Sequence, residues 1–317
     1  MNTLNRREFI AGVVAAGAVS SLPALSLAGA NKKDSQKISI FSKHLQWLDY
    51  DGMAQTAAEL GFDGVDLTVR PKGHVLPERV EDDLPKAVAA IKKAGMQPLM
   101  MVTAITEPDD PTTEKILKTA SGLGIKYYRM GYYKYRSDKS ILSTLAEIRP
   151  KMKALAAMNA HYGIHGAYQN HAGNNRFGAP IWDLWQVIQD LDPQSMGCQF
   201  DIRHATLEGG TDWPMQVRLM SKYINTIVAK DFFWTKKQDS WRAINCPLGE
   251  GMVHFDEYFG MLKNLSVGGP FTVHYEYPLG GAEHGARKLT IDKSKVLAAM
   301  RRDLQFVKTK LRKSGLL

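Results

Sequence analysis

Glu59-Leu60-Gly61-Phe62-Asp63-Gly64-Val65-Asp66-Leu67 holds the join that organises this chain. A run of helical period ends on Leu60, a glycine follows, and the texture then changes to a short apolar strand carrying Asp66. A glycine just past a helix supplies the left-handed cap that other residues adopt only at a cost. The stretch therefore reads as helix, stop, strand. The same join recurs at Ala94-Gly95, Leu123-Gly124 and Tyr162-Gly163. Working outward, strands are expected at 38–41, 64–69, 97–103, 126–131, 163–169, 196–202, 225–231 and 271–277. Helices are expected at 53–60, 84–94, 112–123, 139–160, 181–191, 215–223, 255–265 and 291–311. Strands alternating with helices imply a parallel sheet with crossover helices, and eight such units close a barrel. The competing open sheet would place G-x-G-x-x-G after its first strand, and no such run follows residues 38–41. The fold class expected is α/β, a single (β/α)8 barrel.

Residues 1–30 stand outside this rhythm. Arg6-Arg7 precede a stretch, residues 10–30, that has no charge and is rich in Ala, Gly, Val and Ser, and Ala28-Gly29-Ala30 offers small residues for cleavage. A positive start, a weakly apolar middle and a small-residue end make an export signal, and the paired arginines make it a twin-arginine address. The alternative is an uncleaved membrane anchor, which Gly, Ser and Pro23 dilute. The domain plan is thus a signal at 1–30 and a barrel at 31–317, with the twin-arginine translocon as an export partner and a bacterial periplasmic or exported location. Mature protein is expected to begin near Asn31. Arg6→Lys with Arg7→Lys should trap the precursor in the cytoplasm on fractionation; normal export of that double variant would overturn the twin-arginine reading.

The formal net charge is +9, and loss of Arg6, Arg7 and Glu8 with the signal leaves +8. A basic balance can serve nucleic acid, but Lys and Arg are scattered here with no basic block interleaved with aromatics, so no nucleic-acid partner is expected. Two cysteines, Cys198 and Cys246, are too few in 317 residues for a disulfide framework. Cys198 falls in a strand and is expected to be a small buried apolar residue.

Active sites of such barrels lie at the carboxyl ends of the strands. The polar residues there are Lys43 and His44; Asp66 and Arg70; Arg129; His165, Gln169, Asn170 and His171; Asp201 and His204; Lys230 and Asp231; and His274 and Glu276. A lone His or Asp at a strand end is ordinarily a loop hydrogen-bonder or a helix cap. So many convergent charges are harder to account for by packing, because a buried charge costs several kcal/mol unless paired or used.

These residues carry a family resemblance. Residues 59–67, with Gln169-Asn170-His171, Asp201-Ile202-Arg203-His204, Lys230-Asp231, Pro247-Leu248-Gly249-Glu250-Gly251 and Glu276, resemble the xylose-isomerase-like TIM-barrel superfamily of sugar isomerases and epimerases over nearly all of residues 37–311. The resemblance implies a small carbohydrate as partner and a divalent cation (manganese, magnesium or zinc) held by Glu, Asp, His and Glu from strands five to eight. Asp201 and Glu276 match that set, and His204 matches a substrate-contacting histidine. Gln169 stands where the fifth-strand Glu is expected and Val228 where the seventh-strand His is expected. A hard cation wants anionic oxygen, which an amide does not offer, and valine cannot ligate. Metal binding through Asp201, Glu276 and Gln169 is therefore expected to be weak or absent, and two-glutamate epimerisation is doubtful because Gln169 cannot titrate.

Three readings follow. The first is a sugar-active enzyme with an altered site, using Glu276 with a histidine among His204, His165 and His171, and with Lys230, for isomerisation or for C–O cleavage of an oxidised sugar. Some relatives act as lyases or hydrolases on keto-glycosides. The second is a carbohydrate-binding barrel that has lost catalysis. The third is a hydrolase of unrelated mechanism, since fold does not fix function. Lys43, Arg70 and Arg129 are candidates for a phosphate or carboxylate. His44, His165, Asn170 and His171 are candidates for other substrate contacts. Trp234 and Trp241 fall in what reads as a long loop after strand seven, where a sugar ring could stack on Trp234. Gly249-Glu250-Gly251 reads as a turn, and a homo-oligomer is compatible with the chain.

Overall fold

The computed structural model describes residues 36–317; the signal and cleavage point expected within residues 1–30 lie outside the described residues. The barrel strands are β1 (Ile38–Phe41), β2 (Gly64–Thr68), β3 (Gln97–Val102), β4 (Tyr127–Arg129), β5 (His165–Gln169), β6 (Met196–Asp201), β7 (Ile224–Ala229) and β10 (Phe271–Val273). They pair in parallel, and β10 closes on β1 with Ile38 opposite Phe271. Around them run α1 (Tyr50–Leu60), α2 (Val80–Lys93), α3 (Pro111–Gly122), α4 (Ile141–Tyr162), α5 (Trp182–Ile188), α6 (Ile202–Gly209), α7 (Trp213–Met220), α8 (Phe255–Asn264) and α9 (Lys293–Lys313). The expected (β/α)8 TIM barrel is the fold found.

The joins behave as the sequence implies. Gly61 caps α1 at φ 93° and Gly163 caps α4 at φ 61°, a backbone region closed to most L-residues. Asp63 then turns back, and Ile38 N donates to its Oδ2 at 2.9 Å, tying the entry of β2 to β1. Strands β1, β2, β5 and β6 are buried at every position, as parallel strands under helices must be. In β2, Val65 and Leu67 join the apolar core. Alternation turns Asp66 the other way, into the barrel.

Three features depart from expectation. First, α6 starts directly on β6, with Asp201 as its N-cap accepting from His204 N. Second, the segment after β7 is a hairpin, β8 (Asp231–Lys237) antiparallel to β9 (Ser240–Cys246), not a long loop. Its turn places Gln238 at φ 54°, where Gly or Asn usually advertises a hairpin. Third, β10 ends at Val273 instead of reaching Tyr277. Tyr275 N donates to the His44 ring at 3.0 Å instead of to a neighbouring strand, which ends the ladder. Cys198 and Cys246 are both buried free thiols. No helix among the described residues is long and apolar enough to cross a membrane.

Candidate active site

Asp201 is anchored through both its main chain and its side chain. Its backbone N donates to Asn170 Oδ1 at 2.7 Å, and Asn170 Nδ2 donates to its backbone O at 3.1 Å. Its Oδ1 caps α6 by accepting from His204 N at 3.2 Å. With main chain and one oxygen fixed, Oδ2 accepts from Gln169 Nε2 at 2.7 Å and lies 3.1 Å from Lys230 Nζ. Lys230, one residue past β7, reaches two more groups. Its Nζ stands 2.8 Å from His204 Nε2 and 3.3 Å from Glu276 Oε2. Glu276 Oε1 in turn lies 3.4 Å from Lys43 Nζ. Asp201, His204, Lys230 and Glu276 thus meet around one ammonium at the carboxyl side of the strands.

Burial divides these groups into a fixed pair and an accessible acid. The Asp201 and Lys230 side chains are 0% and 3% exposed, against 24% for Glu276. Burial pushes the Asp201 carboxyl up, and Lys230 opposes this. Burial would also raise Glu276, but Lys230 and Lys43 outweigh it and hold that carboxyl well below the usual carboxylate range. Glu276 is therefore ionised at neutral pH. Burial, then Lys230 and His171, keep His204 far below the ordinary imidazole value, so it is neutral. Its Nδ1 faces Arg203 Nη1 at 3.1 Å while Nε2 faces Lys230. Both neighbours are donors, so a neutral ring accepts from only one of them. His171 packs against His204 with ring centroids 3.9 Å apart, and burial with Lys230 pushes it down to about 3.

The donor set does not fit a divalent cation. Gln169 directs its NH2 group, a donor, at Asp201, and its oxygen already accepts from Arg129 Nη1 at 3.0 Å and from the Tyr132 hydroxyl. Val228 is fully buried and offers no ligand. Asp201 and Glu276 both face the Lys230 ammonium, which repels a second cation. Among the described residues no group of three His, Cys, Asp or Glu is arranged to hold a metal. Treatment with EDTA should accordingly move the melting temperature by less than about 1 °C, since stabilisation by a ligand scales as RT ln(1 + [L]/Kd). A drop of several degrees reversed by manganese would contradict this.

Several candidate residues have other roles. His44 is fully buried; its Nε2 accepts from Tyr275 N and its Nδ1 lies 3.1 Å from Ala282 O. Both nitrogens are occupied by main chain, so it is not a substrate contact. Asn170 is likewise occupied on Asp201's backbone. His165 opens β5 instead of closing it, and its ring bonds Pro193 O at 2.9 Å beside Asn225, at the amino end of the barrel and away from the site. Trp234 lies on β8, 42% exposed, edge-on to Phe232 at 6.2 Å. Lys43, Arg70 and Arg129 gather around the Phe41 ring. Tyr132 and Arg176 were not legible in advance. Tyr132 follows Arg129 past the end of β4, and Arg176 stacks on its ring at 4.6 Å; only the spacing of Tyr132 from Arg129 hints at a shared site.

Asp231 explains the Leu-Gly-Glu-Gly run. Its Oδ2 accepts from Gly249 N at 2.9 Å and Gly251 N at 3.0 Å, while Oδ1 accepts from Val253 N at 3.1 Å. A Cβ on Gly251 would sit 2.3 Å from Asp231 Oδ1, so only glycine allows that approach. The run is a clamped turn beneath the β8–β9 hairpin.

The family model described as Xylose isomerase-like TIM barrel matches residues 54–293. No curated protein matches the chain. Among solved structures, D-psicose 3-epimerase with D-tagatose from Clostridium cellulolyticum H10 superposes with TM-score 0.66 at 14% identity, covering 87% of this chain and 99% of that one. A 3-keto-D-glucoside 4-epimerase from E. coli gives TM-score 0.64 at 15% identity, covering 86% and 99%. A protein described as the probable 3-DHS dehydratase of petrobactin synthesis from Bacillus anthracis gives 0.61 at 15%, covering 85% and 99%. At these identities the likeness establishes the shared fold.

Proposed function

The chain belongs to the xylose isomerase-like TIM barrel family, and from that premise we propose that it is a sugar-converting enzyme. In this reading Glu276 removes a proton from the carbon beside a sugar carbonyl, and Lys230 stabilises the oxygen that gains charge. One observation carries the reading: Lys230 Nζ lies within 3.3 Å of Asp201 Oδ2, Glu276 Oε2 and His204 Nε2. A positive charge is thus fixed beside an ionised, partly exposed carboxylate. When the C–H bond breaks, its electron pair forms C=C, the carbonyl pair moves to oxygen, and the proton goes to a Glu276 oxygen. A preorganised ammonium at that oxygen is the kind of group that lowers such a barrier, because it needs no reorientation as charge develops. Lys43 holds Glu276 only at 3.4 Å. A substrate hydroxyl that displaces it would raise the basicity of the carboxylate where it is needed.

Glu276 works without a second titrating carboxylate opposite, because Gln169 holds that place. Inversion at one carbon requires proton transfer on both faces. One base suffices to shift a carbonyl between adjacent carbons, or to expel a β-substituent from an oxidised sugar. The reaction proposed is therefore isomerisation or β-elimination, in a protein exported through the twin-arginine route to meet free or oxidised sugars. The test is to incubate protein freed of metal with aldoses, ketoses and keto-glycosides and to follow products by NMR. A moved carbonyl or an unsaturated product supports the reading. Sugar bound without conversion would make the chain a carbohydrate-binding barrel instead.

A further inference from the structure

We infer that the sugar this site accepts carries a carboxylate, gripped by Arg70 and Arg129 on the β2–β4 side of the pocket; the inference rests on the sugar-converting reading above. Among the cationic side chains around the pocket are Lys43, Arg70, Arg129 and Lys230, and among the described residues only Asp201 and Glu276 stand in ion pairs with any of these. Those two carboxylates serve the lysines. The arginines are left with neutral partners. Arg129 donates to the Gln169 amide at 3.0 Å and lies over the Tyr132 ring at 5.0 Å. Arg70 has the face of Phe41 at 5.4 Å, and among the described residues its guanidinium makes neither a hydrogen bond nor an ion pair. Lys43 Nζ and Arg129 approach that same ring at 5.4 and 5.8 Å.

The nearest candidate counter-charge is not used. Asp66 is fully buried on β2 beside the Thr272 hydroxyl, and among the described residues neither of its carboxyl oxygens has a partner in good hydrogen-bond geometry. Arg129 and Arg70 attract it through space, but among the described residues neither forms an ion pair or hydrogen bond with it. Burial pushes that carboxyl up to about 7, so at neutral pH it supplies only part of one charge. Burial and Arg129 push Arg70 down to about 10, which still leaves it protonated. Two guanidinium groups with unfilled donors, held close against their mutual repulsion, want a planar anion with two oxygens, and a carboxylate matches the guanidinium fork.

The experiment measures binding at low salt of hexuronates and aldonates (D-glucuronate, D-galacturonate, D-gluconate), their neutral parent sugars and hexose 6-phosphates. At least one acid should bind about 10-fold or more tighter than its neutral parent. Arg70→Met should shrink that preference to less than about threefold, and Arg70→Lys should retain part of it. Melting curves of both variants establish that they fold. Neutral sugars that bind as tightly as every acid would overturn the carboxylate and leave the sugar-converting reading standing. So would 6-phosphates that bind tightest, or an acid preference that survives in folded Arg70→Met. If no sugar of any class binds, both readings fall.

Discussion

Glu276→Gln is expected to lower turnover by about 10²-fold or more while the melting temperature stays within about 2 °C of the parent. The substitution keeps the shape of the side chain and removes its proton-accepting charge. The stability effect should be small because Glu276 is 24% exposed and its contacts to Lys43 and Lys230 are 3.4 and 3.3 Å long; partly solvated pairs contribute little. The pH profile adds a second check. Lys230 and Lys43 hold the Glu276 carboxyl well below its ordinary value despite burial. Activity should therefore be lost only as pH falls below the usual carboxylate range, with no gain on raising pH through 5 to 7. Full activity in the variant would remove Glu276 from the chemistry. A collapsed fold would make it a structural partner of the lysines.

Lys230→Met should be costly in both stability and turnover. The lysine is the ion-pair partner of Asp201, whose side chain has no solvent exposure. Removing one member of a buried pair leaves an uncompensated charge, which costs about 3 kcal/mol or more and should lower the melting temperature by several degrees. The Asp201 carboxyl, already pushed up by burial, would be pushed up further without the ammonium that opposes it. Pairing the change with Asp201→Asn should recover most of the stability, because the double variant buries no lone charge. It should recover none of the turnover if the Lys230 ammonium faces the developing oxyanion as proposed, because that group is still missing. A Lys230→Met protein as stable as its parent would show that this lysine is not the counter-ion of Asp201.

The barrel was legible because its signals are local. Gly61, Gly95, Gly124 and Gly163 each take a positive φ, and that requirement is written directly in the residue type. The convergence of Asp201, His204, Lys230 and Glu276 could be expected because parallel strands bring their ends to one rim. Direction was harder to read. His44 and Asn170 are polar residues at strand ends like the others, yet both turn to main chain, and no sequence pattern separates a side chain that bonds backbone from one that faces a pocket. His165 lies early in β5, whichever start the strand takes, and so sits at the amino mouth, where its ring bonds Pro193 O. The Asp201–His204 spacing suits a helix cap as well as chemistry, with Asp201 Oδ1 accepting from the His204 backbone N. The hairpin bearing Trp234 was hidden by its Gln238 turn. The place of Lys230 Nζ among a carboxylate pair and an imidazole depends on rotamers, which sequence spacing does not reveal.

The central claim is that this site enolises a sugar through Glu276, with the Lys230 ammonium in attendance and no resident divalent cation. Its most direct test is hydrogen exchange at the carbon beside the carbonyl. Chelator-treated protein is incubated in D2O with the same ketoses, aldoses and keto-glycosides, neutral and carboxylated, and deuterium entry is followed by NMR. The account predicts deuterium at that carbon for at least one sugar, undiminished by EDTA and abolished in Glu276→Gln. Exchange that appears only when manganese, magnesium or zinc is supplied, or that persists in Glu276→Gln, would contradict it.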